Sequence, residues 1–81
     1  MRLRGALTEL EEAGQSAGEL LSRHAAGDWG DLSDADRKEN EFSLLNGFRL
    51  LSSYRLRSGA KLWIISESDR ASTCLLLPEE Y

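Results

Sequence analysis

Phe48-Arg49-Leu50-Leu51-Ser52-Ser53-Tyr54-Arg55-Leu56-Arg57-Ser58-Gly59-Ala60-Lys61-Leu62-Trp63-Ile64-Ile65-Ser66 is the stretch that decides the fold. Its side chains alternate with period two. Phe48, Leu50, Ser52, Tyr54 and Leu56 fall on one side of an extended chain, and Arg49, Leu51, Ser53, Arg55 and Arg57 on the other. Ser58-Gly59 supplies a turn, after which Leu62 and Ile64 alternate against Trp63 and Ile65. Ser68-Asp69-Arg70 turns again, and residues 72–77 form a third strand that Pro78 ends. Turns this short join antiparallel neighbours, so residues 48–77 predict a three-stranded meander. Its second and third strands are apolar on both faces. One face is expected against helices; the other is either a partner surface or is covered by the chain's ends.

Upstream, the period is helical. Residues 6–13 read as a short helix with Ala6, Leu7 and Leu10 inward, stopped by Gly14. Ser16 followed by Glu19 is a capping box for a second helix that places Ala17, Leu20, Leu21, His24 and Ala25 on one side. Gly27 follows its C-terminus. Ser33 and Asp36 cap a third helix ending near Asn46-Gly47, with Phe42, Leu45 and Leu44 expected inward and Arg37, Lys38, Glu39 and Glu41 outward. The fold class is therefore α+β: two to three short N-terminal helices (about residues 6–46) packed on a C-terminal three-stranded antiparallel meander, in a single domain of residues 1–81.

Charge is unevenly placed. Ten acids and five bases in residues 1–46 give −5, whereas four acids and five bases in residues 47–81 give +1. Residues 28–41 hold six acids (Asp28, Asp31, Asp34, Asp36, Glu39 and Glu41) and two bases, a local −4. This balance argues against direct nucleic-acid binding, which needs a basic stripe to neutralise phosphates. It fits either a solvated face or a surface for a basic partner. Arg49, Arg55 and Arg57 with Trp63 form an alternative, cationic site on the sheet face; strand-edge protection explains the same residues. One cysteine, Cys74, excludes an internal disulfide and a cysteine-based zinc site, and in its apolar run it reads as a small core hydrophobe. No stretch reaches the roughly 18 apolar residues of a membrane span, and no signal-peptide pattern opens the chain, so cytoplasm is expected.

No motif names a reaction. His24 has Asp28 nearby in sequence, but no nucleophile spacing accompanies it. It is expected to be structural, capping the helix end and bonding into the Asp-Trp-Gly turn. Trp29 is expected to close the gap between the second and third helices, its indole N–H on a carbonyl. Asp28, Asp31, Asp34 and Asp36 do not follow the calcium-loop order, so no metal and no cofactor are expected.

The runs Arg23-His24-Ala25-Ala26-Gly27-Asp28-Trp29-Gly30-Asp31-Leu32, Gly47-Phe48-Arg49-Leu50-Leu51-Ser52-Ser53-Tyr54, Lys61-Leu62-Trp63-Ile64-Ile65 and Pro78-Glu79-Glu80-Tyr81 resemble a family of small bacterial plasmid-related proteins. The resemblance implies a setting on mobile elements, where DNA must survive bacterial defence. Small acidic proteins in that setting include anti-CRISPR proteins, which occupy basic surfaces of effector complexes. The expectation is a non-enzymatic inhibitor with a protein partner, such as a CRISPR effector subunit, bound through the acidic residues 28–41. The alternative is an accessory module of a plasmid or phage that binds protein or RNA through the sheet face. A homodimer is compatible with either.

Overall fold

A computed structural model describes residues 4–81. Three helices, α1 (Arg4–Ala13), α2 (Ala17–Ala25) and α3 (Asp34–Asn46), precede strands β1 (Leu50–Arg55), β2 (Lys61–Ser66) and β3 (Thr73–Leu76), and a 3-10 turn, Pro78–Glu80, closes the chain. The sheet order is β1-β2-β3, antiparallel throughout. The α+β class and the order of helices before strands stand as the sequence predicts. No helix among the described residues is long and apolar enough to cross a membrane.

The helix starts obey their capping signals. Ser16 Oγ accepts from the Glu19 amide and Ser33 Oγ from the Asp36 amide, each at 3.2 Å. The Glu19 carboxylate does not return to Ser16 as a full capping box would; it accepts from Gln15 Nε2. Gly47, at φ 74°, ends α3 in the left-handed region that glycine enters without strain.

One face of the sheet carries Leu50, Ser52, Tyr54, Leu56, Leu62, Ile64 and Leu75, and Ala6 and Leu10 of α1 and Leu20 of α2 complete the core. Leu7 and Ala25, expected inward, are exposed, because each falls one residue beyond the face its helix buries. The opposite sheet face is partly roofed by the chain's own C-terminus, where Tyr81 meets Trp63 edge-on at 5.7 Å. Cys74 lies on that outer face, half-buried, and not in the core.

Helix α3 departs furthest from expectation. Its buried residues are Asn40 and Ser43, while Phe42, Leu44 and Leu45 point to solvent. The reason is the free edge of β1. Leu51 turns its N–H and C=O away from β2, and Asn40 meets both: Oδ1 accepts from the Leu51 amide at 3.1 Å and Nδ2 donates to the Leu51 carbonyl. Ser53, next along the edge, donates to the Trp29 carbonyl and accepts from the Asp31 amide. Backbone groups left unpaired at a buried edge cost about 1–3 kcal/mol each, so α3 turns Asn40 to the sheet and leaves Phe42 and Leu45 outward.

The second half of that seal needs Gly30. At φ 75° it bridges Ser53 so closely that a Cβ would overlap the Ser53 carbonyl oxygen and the Tyr54 ring. Gly14, at φ 68°, has nothing within 4 Å of such a Cβ. Urea denaturation should therefore separate the two. Gly14→Ala should cost about 1–2 kcal/mol, the left-handed strain alone, and Gly30→Ala should cost clearly more.

Candidate functional site

The six acids do not form one face. Asp28 is bound by Arg23 Nε at 2.7 Å and accepts from the Gly30 amide at 3.2 Å. The Arg23 hydrogen bond holds its carboxyl below the usual aspartate value. Asp31 faces Arg55 at 3.8 Å, and Glu41 accepts the Trp29 indole N–H at 3.3 Å. Asp34, Asp36 and Glu39 remain on exposed parts of α3. At about 100° per residue, Asp34 and Asp36 lie about 160° apart around the helix. Among the described residues, no three His, Cys, Asp or Glu side chains gather as a metal centre requires.

The arginines of the sheet face are also dispersed. Arg49 is clamped by Glu67, with its Nη1 on the Tyr81 hydroxyl at 3.1 Å. Arg55 faces Asp31, and Arg57 donates to the Gly14 carbonyl. Arg49 immediately precedes β1 and Arg55 ends it, six residues and so about 20 Å apart. Trp63 packs under Tyr81.

What the fold does gather is apolar. Leu45 is 86% exposed and Phe42 55%, and Phe42 stacks on Phe48 with ring centroids 5.9 Å apart. Leu44, about 160° around the axis from Phe42, lines a separate cleft of about 490 Å³ between the C-terminal ends of α2 and α3, walled by Leu21, Trp29 and Leu50, with Arg70 at its side. Asp34 and Glu41 share the outward side of α3 with Leu45, each within about 40° of it around the axis. The outward surface therefore mixes exposed apolar side chains with charged ones, Lys38 also lying within about 20° of Leu45 around the axis.

His24 lies behind this surface, 7% exposed. Its ring nitrogens do not bond the Asp-Trp-Gly turn. Nδ1 meets Ser52 Oγ on β1, and Nε2 meets Ser66 Oγ on β2 at 2.8 Å; Ser66 continues to Thr73 on β3 at 3.2 Å. The turn contributes only the Trp29 ring, edge-on at 5.7 Å. Trp29 itself is buried, with its N–H on a side-chain carboxylate where a backbone carbonyl was expected. With both nitrogens held by hydroxyls, His24 has no carboxylate to orient it, and Asp28 is engaged elsewhere. The arrangement ties α2 across all three strands. It is a structural bridge whose partners lie 28 and 42 residues away, beyond the reach of any local motif.

Burial, then the positive charge of Arg70, push the His24 pKa below 6.5. The unfolded chain therefore binds the proton more readily than the folded one, and stability falls as pH drops below 6.5. Unfolding free energies between pH 7 and 5 should decline by at most about 1.4 kcal/mol per pH unit, and His24→Gln should flatten that decline. No protein-family model, curated protein or solved structure matches this chain.

Proposed function

We propose that the protein is a non-enzymatic inhibitor of anti-CRISPR type, carried by a mobile element, that docks on a basic surface of a defence effector. The observation that carries the binding part is the exposed apolar surface around Leu45, with Phe42 and Phe48 on one flank of it and Leu44 on the other, each half or more exposed. Leaving four such side chains in water is unfavourable; burial against a partner contributes up to about 1.5–3 kcal/mol for each. Asp34, Glu39 and Glu41 border the strip and select a partner with lysines or arginines around an apolar centre, speeding encounter and rejecting acidic surfaces. The bacterial-defence setting is supported by the resemblance of the sequence runs 23–32, 47–54, 61–65 and 78–81 to plasmid-related proteins.

The mechanism is stoichiometric occlusion: the inhibitor occupies the surface that the effector uses for nucleic acid. Of the six acids, Asp28 and Asp31 are engaged by Arg23 and Arg55 within the chain, and Asp34, Glu39 and Glu41 form the rim. The arginine face is the weaker candidate, since Arg49 and Arg55 each already face a carboxylate.

The test is interference by an active CRISPR system against a targeted plasmid, scored as transformation efficiency with and without the protein. Wild type should restore transformation. Leu45→Asp with Phe42→Asp should abolish the effect while circular dichroism stays native, and should weaken binding to the captured effector by at least roughly 30-fold, about 2 kcal/mol. Undiminished protection by the folded double variant, or no protection by wild type against any effector class, would sink the proposal.

A further inference from the structure

The two edges of the sheet are treated oppositely. On β1, Asn40 and residues 29–31 satisfy Leu51 and Ser53. On β3, the pairing register turns Cys74 and Leu76 toward β2, where they face Ile65 and Trp63. Thr73 and Leu75 therefore aim their N–H and C=O outward, and no described residue pairs with them on that side. Leu77, the next outward residue, is already occupied: its amide donates to Glu80 Oε1 at 2.9 Å and its carbonyl accepts from the Glu80 amide. The open segment is thus two residues long, offering two donors and two acceptors. The strand Thr73–Leu76 carries no charge, proline or bulge to block pairing at its edge, and its four residues confine any pairing to a short segment.

We infer that a second copy of this chain pairs antiparallel along β3, about a two-fold axis beside Cys74. The occupied state of Leu77 excludes a register with Leu75 opposite Leu75, and the Ala71 amide, held by Asp69 Oδ1 at 2.9 Å, excludes one with Thr73 opposite Thr73 and Leu75 opposite Ala71. Thr73 of one copy can pair only with Leu75 of the other, and the reverse, which places the two Cys74 residues opposite each other. All four outward groups of each copy are then used in four hydrogen bonds, and two three-stranded sheets become one of six strands. The interface is isologous and self-closing, so it ends at the dimer. Thr73 and Leu75 are the hydrogen-bonded pairs, so the Cys74 pair is of the non-hydrogen-bonded kind, with Cα atoms about 4.5 Å apart. That spacing lies within the range a disulfide spans. The two thiols project from the outer sheet face, where each is half-buried beside Ile65, Leu76 and Tyr81. Leu7, half-exposed on α1, the helix packed against β3, adds apolar surface on the helical side. This surface is separate from the outward side of α3, so an inhibitor dimer presents two copies of that side.

The experiment pairs sedimentation equilibrium on the full chain with crosslinking by diamide, which takes two electrons and two protons from the paired thiols and leaves a disulfide. Reduced wild type should show a concentration-dependent monomer–dimer equilibrium, and diamide should convert it to a covalent dimer that dithiothreitol reverses. Cys74→Lys places like charges on the axis at a half-exposed position and should give a folded monomer by sedimentation and circular dichroism. Leu45→Asp should leave the dimer intact. A folded wild type that is monomeric at every concentration and refuses the crosslink overturns the inference. So does a dimer that survives Cys74→Lys and dissolves with Leu45→Asp. So does a monomer whose Leu75 amide is protected from hydrogen exchange, since the chain's own residues would then hold the edge.

Discussion

The free edge of β1 is the constraint on which the rest of the architecture depends. A three-stranded sheet has two edges, and in a chain this small an open edge near the core wastes hydrogen bonds that the fold cannot spare. Here the side-chain amide of Asn40 imitates a strand residue opposite Leu51, and the turn at Gly30 lends one residue of backbone opposite Ser53. The two seals require each other's neighbours. Gly30 must come close enough to bridge, which brings Trp29 over His24, and Trp29 in turn donates to Glu41 on α3. Arg37 completes the ring by donating to the Leu32 and Gly30 carbonyls.

Once α3 is committed to the edge through Asn40 and Ser43, its apolar residues have nowhere to go but out. The resulting strip is therefore not a flaw of packing. It follows from using a helix's polar side as a strand substitute, and the hydrogen bonds of Asn40 to Leu51 hold the helix in that orientation. His24 does comparable work inside, joining α2 to Ser52 and Ser66 with a ring whose burial disfavours the charged form.

Much of the fold was legible in the chain, because its signals are local. Ser16 and Ser33 announce their helices, Gly14 and Gly47 stop theirs, and the change of period at Phe48 marks the sheet. The orientation of α3 was not legible from the rule that apolar residues face inward. Yet Phe42 and Leu44 lie about 160° apart on a helix, so no single side of α3 could bury both. That incoherence was the available signal, and Asn40 with Ser43, three residues apart on one side, was its counterpart. The partners of His24 were invisible for another reason: serines on strands carry no mark of what they face. The division of the acids into braces and rim likewise depends on Arg23, Arg55 and Trp29 arriving from elsewhere in the fold.

The central claim is that Asn40 closes the β1 edge and thereby fixes which side of α3 is free. Amide hydrogen exchange at Leu51, compared between wild type and Asn40→Ala, addresses it directly. Leu51 should be protected in the wild type and exchange rapidly in the variant, while Ser52 and Tyr54, bonded to β2, keep their protection. A Leu51 amide that is unprotected in the wild type, or equally protected without Asn40, would contradict it.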